Sequence, residues 1–204
     1  MPQTVRFWVD PICPWCWVTA RWAMTVAPER DLDLQWEPIS LFFKNDPPPD
    51  SRFYEPVRWS LGLLRVLESV RSSEGDGALG GLYTEYGRRI HHDQSRQWDP
   101  AEALTAVGLD PGLAKAAEDD SWDEPIRCRM EEGLALVGND VGTPIIAFEH
   151  EGRTVGCFGP VVSRVPAGAD ATRLWDAFVT LNTMGEFWEL KRTRTAPPEF
   201  GPRP

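Results

Sequence analysis

Two cysteines separated by two residues, Cys13-Pro14-Trp15-Cys16, are the part of this chain best suited to chemistry. Thiol-disulfide exchange needs one thiolate to attack and a second thiol near enough to release the mixed disulfide, and this spacing provides both. Cys13 is the expected attacker and Cys16 the expected resolver. Zinc is the competing reading, but a structural zinc site needs further paired ligands. Cys128, Cys157, His91, His92 and His150 supply no second Cys-X-X-Cys and no His-X-X-X-His. No metal is therefore expected.

The elements around the pair support the redox reading. Val5-Arg6-Phe7-Trp8-Val9 is β-branched and aromatic and ends at Asp10-Pro11, and Cys13 to Ala27 reads as a helix with Pro14 in its first turn. A strand over Leu32 to Ile39 completes a βαβ unit. The cysteines then sit at a helix N-terminus, where unpaired N–H groups and the dipole favour an anion. Such settings lower a cysteine pKa from about 8.5 to roughly 3.5 to 7.5, and that is the expectation for Cys13.

The proline-rich run Lys44 to Asp50 breaks regular structure. Helical patterning follows over Arg52 to Ser73 and through Tyr83, Tyr86 and Ile90. Capping boxes are expected at Asp99-Pro100-Ala101-Glu102 and Ser121-Trp122-Asp123-Glu124, with a short helix from Asp110-Pro111 between them. Pro144 to Phe148 and Arg153 to Phe158 form a hairpin turning through Glu149 to Gly152, and a last helix spans about Ala171 to Leu181. The order is α/β: a thioredoxin-like fold with an inserted all-helical domain. Its expected parts are residues 1–45 (βαβ), 46–139 (helical insertion), 140–182 (ββα) and 183–204 (a polar tail).

In that architecture the loop before the third strand places a cis-proline beside the Cys pair, and the residue before it offers its backbone to an extended substrate. Thr143-Pro144 occupies that place in the chain. Taken alone, a proline opening a strand is simply an edge residue.

Composition narrows the function classes. The 204 residues include 31 acidic and 21 basic side chains, a net charge of −10 that opposes nucleic acid and anionic membrane surfaces. The N-terminus lacks a signal-peptide pattern and no apolar run approaches a membrane span, so a cytoplasmic setting is expected. Four cysteines are too few for a disulfide scaffold. Of ten tryptophans, Trp8, Trp17 and Trp22 are expected in the core. Trp15 is expected exposed, as a stacking surface for a planar substrate.

Asp10-Pro11-Ile12-Cys13-Pro14-Trp15-Cys16-Trp17 resembles the centre of the DsbA-like family. The chain is similar, more narrowly, to the cytoplasmic mycothiol-dependent nitroreductases and disulfide reductases. That resemblance includes Arg88-Arg89-Ile90-His91, Asp140 to Pro144, Phe158-Gly159-Pro160-Val161 and the tail Glu189 to Thr195 with Pro197-Pro198. It implies no tightly bound cofactor, and a Cys pair recycled by a low-molecular-weight thiol, mycothiol, or by a glutaredoxin-like reductase. It also implies disulfide or nitroaromatic substrates and a homodimer. Pro14, Trp15, Thr143, Pro144 and His91 are then substrate-binding candidates, with His91 bonding or delivering a proton near the Cys13 sulfur.

The chain departs from the family pattern at His92, which stands where an amide is usual, and in a longer hairpin around His150. A histidine on a helix is ordinarily structural, the reading kept for His92. Cys128 and Cys157 are expected as unpaired small hydrophobes. Lys191, Arg192 and Arg194 read as a solvated charge run, or as a site for an anionic partner.

Two other functions fit the same residues. One is a transferase or isomerase that binds a thiol cofactor without redox cycling, although such chemistry needs no resolving cysteine. The other is a holdase chaperone with the Cys pair as a redox switch.

Overall fold

The structure is a computed structural model that describes residues 2–204. Four strands, β1 (Gln3–Val9), β2 (Leu32–Pro38), β3 (Ile145–His150) and β4 (Arg153–Phe158), form one sheet in the order β2-β1-β3-β4. β1 runs parallel to β2 and antiparallel to β3, and β3 and β4 form an antiparallel hairpin. A parallel neighbour requires a crossover, which α1 (Pro14–Val26) supplies. The central strand β1 is covered on both sides: Phe7 joins the cluster of Trp17, Trp22 and Tyr83, while Trp8 joins Ile39, Met130, Leu134 and Ile145. Trp8, Trp17 and Trp22 are fully buried, as their apolar neighbours indicated.

The helices α2 (Leu41–Asn45), α3 (Tyr54–Glu74), α4 (Leu79–Gly87), α5 (Pro100–Ala106) and α6 (Asp123–Val137) separate the two halves of the sheet, and α7 (Ala169–Thr183) follows it. The chain thus has a thioredoxin-like sheet with a helical insertion. Among the described residues no helix is long and apolar enough to cross a membrane.

Local signals account for most boundaries. Asp99 and Glu102 form the expected capping box of α5. The one expected at Ser121 does not form, because the Asp119 carboxylate captures the Ser121 amide at 3.0 Å in a short 3-10 turn and α6 starts without a side-chain cap. Pro111–Glu118 is a 3-10 run rather than an α-helix, with Asp110 capping Gly112. The hairpin turn is tighter than expected. Only Glu151 and Gly152 lie outside the strands, both with positive φ (49° and 73°), as a two-residue hairpin turn demands.

The α2 helix was not anticipated. Ser40 accepts the Phe43 amide at 3.3 Å to start it, and a left-handed Asp46 ends it immediately before the prolines that dominated the sequence pattern.

A buried ion cluster ties the insertion to the sheet. Glu37 on β2 and Glu68 on α3 are nearly inaccessible, and both pair with Arg71 and Arg129 at 2.9–3.3 Å. Arg6 on β1 adds a further bond to Glu37 at 3.0 Å.

Candidate active site

Cys13 is the N-cap of α1. Its backbone is extended (φ −78°, ψ 111°), Pro14 opens the helix where no N–H is needed, and the Cys13 Sγ accepts from the Cys16 amide at 3.5 Å. The sulfur thereby takes the place of the usual capping oxygen. Cys16 lies one turn deeper and is fully buried, whereas Cys13 retains slight exposure.

The Thr143–Pro144 bond is cis and lies against the pair, as expected. The Thr143 carbonyl is 3.9 Å from Cys13 Sγ, and its hydroxyl is 3.3 Å from Cys16 Sγ and 2.8 Å from the Trp8 carbonyl. The Tyr83 hydroxyl on α4 approaches Cys16 Sγ at 3.8 Å. The inner sulfur thus has polar neighbours, and the outer one faces the loop.

Beneath the turn is a second polar group that the sequence pattern had marked only as the end of β1. The buried Asp10 carboxylate accepts from the Ile12 amide at 3.1 Å, the Leu41 amide at 2.7 Å and the Ser60 hydroxyl. It therefore joins the cysteine turn to α2 and α3. Burial outweighs these three donors and raises its pKa to about 6.

The expected lowering of the Cys13 pKa is not what this arrangement produces. Burial pushes the Cys13 thiol up to about 11, against the Cys16 amide, with Asp10 raising it further and Arg194 lowering it. Removal from water costs the thiolate more than the Cys16 and Trp15 amides return. Burial and the neighbouring Cys13 push Cys16 higher still.

His91 and His92 lie in a π-helical turn, Arg88–His92, that continues α4. Such insertions re-aim side chains. The hydrogen bond of His91 goes to the Pro11 carbonyl, at 2.9 Å from Nε2, and burial holds its pKa down to about 4. A carbonyl can only accept, so Nε2 carries the proton, and a neutral His91 braces the loop before Cys13. His92 accepts from the Trp17 indole N–H at 3.2 Å. Phe200 packs on both rings, with centroids 5.2 and 5.8 Å away.

Trp15 is half-buried rather than exposed: it packs against the main hydrophobic cluster, and the Arg194 guanidinium lies over its ring at 4.9 Å. Arg194 thus makes a specific contact instead of a purely solvated one. All four cysteines are free, and Cys128 is exposed near Glu124 rather than packed as a small hydrophobe. Cys157 is half-buried, with its Sγ 3.4 Å from the Phe158 carbonyl. A cleft of about 450 Å³ between α2, α3 and the Pro111–Glu118 run is lined by Phe42, Phe43, Arg58 and Arg65, and includes neither Cys13 nor Cys16. Among the described residues no three of His, Cys, Asp and Glu gather as a metal-ligand set. Asp10, Ser60, Tyr83, Arg194 and Phe200 are the site neighbours that residue spacing did not disclose.

The model of the Rv2466c-like family, described as mycothiol-dependent nitroreductase Rv2466c, matches residues 12–192. The chain belongs to that family. The match includes both cysteines, the Thr143–Pro144 loop and the tail as far as Arg192. A Mycobacterium tuberculosis relative, described as uncharacterized protein Rv2286c, is 28% identical over 198 residues, 94% of this chain and 83% of that protein.

Solved structures share the fold of this Rv2466c-like protein at low identity. The probable DsbA oxidoreductase SCO1869 from Streptomyces coelicolor aligns with a TM-score of 0.58 at 19% identity, covering 95% of this chain and 94% of its own. The cytosolic disulfide reductase DsbM from Pseudomonas aeruginosa, solved with GSH, aligns with a TM-score of 0.58 at 16% identity, covering 87% and 100%. These likenesses establish the DsbA-like fold.

Proposed function

We propose that this protein is a cytoplasmic thiol-disulfide oxidoreductase in which Cys13 attacks and Cys16 resolves. One observation carries the reading: Cys13 caps α1 directly opposite the Thr143 carbonyl, with Cys16 one turn below it. In the reductive direction the Cys13 thiolate attacks a substrate disulfide and expels one substrate thiolate. The Cys16 thiolate then attacks the Cys13 sulfur, expels the second, and leaves a Cys13–Cys16 disulfide. Two equivalents of a low-molecular-weight thiol restore the dithiol and leave as their own disulfide.

Membership of the Rv2466c-like family supports mycothiol as that thiol and nitroaromatic compounds as further electron acceptors. Pro14, Trp15, Thr143 and Pro144 surround the attacking sulfur in this reading, and His91 holds the loop before it. A glutaredoxin-like reductase and a homodimeric assembly complete it. The buried resolving cysteine favours redox cycling over thiol-cofactor transfer, which needs no second thiol.

The test is trapping with Cys16→Ser. Mass spectrometry of the purified protein from cells should find a small thiol or a protein client joined to Cys13. A Cys13 that never forms a mixed disulfide would sink the proposal. Suppression of client aggregation by the double variant Cys13→Ser, Cys16→Ser would favour the holdase instead.

A further inference from the structure

The polar C-terminal segment is largely exposed as far as Pro197, but its last residues are fastened to the fold. The fastening has successive points: the Glu199 amide donates to the Ser163 carbonyl at 2.6 Å, and Phe200 packs on His91 and His92. Arg203 forms a bidentate pair with Asp93 at 2.9 and 3.0 Å, and Arg88 donates to the Pro204 carbonyl at 2.6 Å. The clamps hold the segment on the π turn, immediately beside the cysteine loop that His91 braces. Ahead of them, Arg194 rests on the face of Trp15, the residue between the two cysteines.

We propose that Arg194 is a positioning residue of the redox centre: held on Trp15 by the clamped C-terminal segment, it supplies the positive charge that favours the Cys13 thiolate. A guanidinium over an indole face is attracted by the ring quadrupole and stays charged at any working pH. The groups around Cys13 leave that role to it. On the cysteine's own turn are the Asp10 carboxyl and the Cys16 thiol, on α4 the Tyr83 hydroxyl, and in the π turn a neutral His91. Of the charged groups that act on Cys13, Asp10 opposes its ionisation, and Arg194, on the C-terminal segment, favours it. When the thiol gives its proton to water, the new anion finds the Cys16 and Trp15 amides on its own turn and the Arg194 charge on the side of the tail. The same contact covers part of the Trp15 ring that packing against the core leaves open, so the segment also shapes the surface on which a substrate disulfide must land.

This inference rests on Cys13 being the nucleophile, and the experiment separates the two claims. The rate of Cys13 alkylation by iodoacetamide is followed against pH by mass spectrometry in the reduced Cys16→Ser chain, with exposed Cys128 as internal reference. Arg194→Gln should move the Cys13 midpoint up by about half a unit, roughly a threefold slower reaction below the midpoint. Arg194→Glu should move it further, and Arg194→Lys should restore most of the shift. Added salt at about 1 M should shrink the difference, since the guanidinium is exposed. Equal midpoints in all four chains, or a shift in thermal midpoint alone, would overturn the role of Arg194 and leave Cys13 as nucleophile. A Cys13 that reacts in none of them overturns both claims.

Discussion

Thr143 touches Cys16 through its side chain, with the hydroxyl 3.3 Å from the buried sulfur, while its carbonyl faces Cys13 at 3.9 Å. One residue therefore contacts both thiols with different groups. The two functions can be separated, because a substitution at the side chain leaves the carbonyl in place.

Thr143→Val keeps the shape and removes the hydroxyl. The Trp8 carbonyl and the Cys16 sulfur each lose a polar partner, and the Cys16 thiolate becomes harder to form. We expect a mixed disulfide on Cys13 to live about fivefold longer, corresponding to one hydrogen bond of about 1 kcal/mol. The rate at which Cys13 is first captured should change less. Stopped-flow kinetics with a chromogenic disulfide resolves the two steps, and equal slowing of both would contradict this division.

Stability against pH should hide two opposing titrations. Asp10 is raised from 3.8 to about 6, so its stabilising contribution is full below pH 3.8 and is lost as pH rises through 6. His91 is lowered from 6.5 to about 4, so its contribution is full above pH 6.5 and is lost as pH falls through 4. Each is worth about 3 kcal/mol and the signs are opposite. His91→Gln retains a donor for the Pro11 carbonyl, and its stability relative to the native chain should fall by about 2 kcal/mol from pH 4 to 6. Asp10→Asn should show the reverse slope. Urea melts at fixed ionic strength measure both, and parallel curves for all three chains would refute the assignment.

Arg71→Met should destabilise by about 3 to 5 kcal/mol, since it leaves the buried carboxylates of Glu37 and Glu68 short of a partner. Exposed pairs of the same kind, such as Arg173 with Asp170, should cost less than about 1 kcal/mol when broken. Chemical denaturation of the two variants makes the comparison, and similar losses would count against the cluster.

Gly87→Ala tests how closely α4 approaches α1. A Cβ there would lie 2.1 Å from Cζ3 of Trp17, a fully buried ring that also contacts His91 and His92. The indole must shift, at a cost of about 1 to 3 kcal/mol, and the bond from its N–H to His92 should weaken. A lowered thermal midpoint with altered tryptophan fluorescence is expected. An unchanged melt would show that the ring has room.

The strands, most of the helices and the redox pair were legible in the sequence because their signals are local. The β-branched and aromatic run of β1, alternation in β2, a proline after Cys13, an acid ahead of Pro100 and a proline after Thr143 each constrain the backbone within a few residues. The helix at Leu41 was hidden because its cap, Ser40, borders a proline-rich run that gives the stronger signal.

Tertiary structure alone decided how strongly Cys13 is buried, and so reversed the pKa expected from its place at a helix end. Desolvation depends on everything packed around a group, and no spacing along the chain encodes it. The same is true of Asp10 under Ser60, Tyr83 beside Cys16 and Arg194 on Trp15, contacts spanning 50 to 179 residues of chain. The residues of exchange chemistry are written in one short segment. The environment that sets their reactivity is assembled from the whole fold.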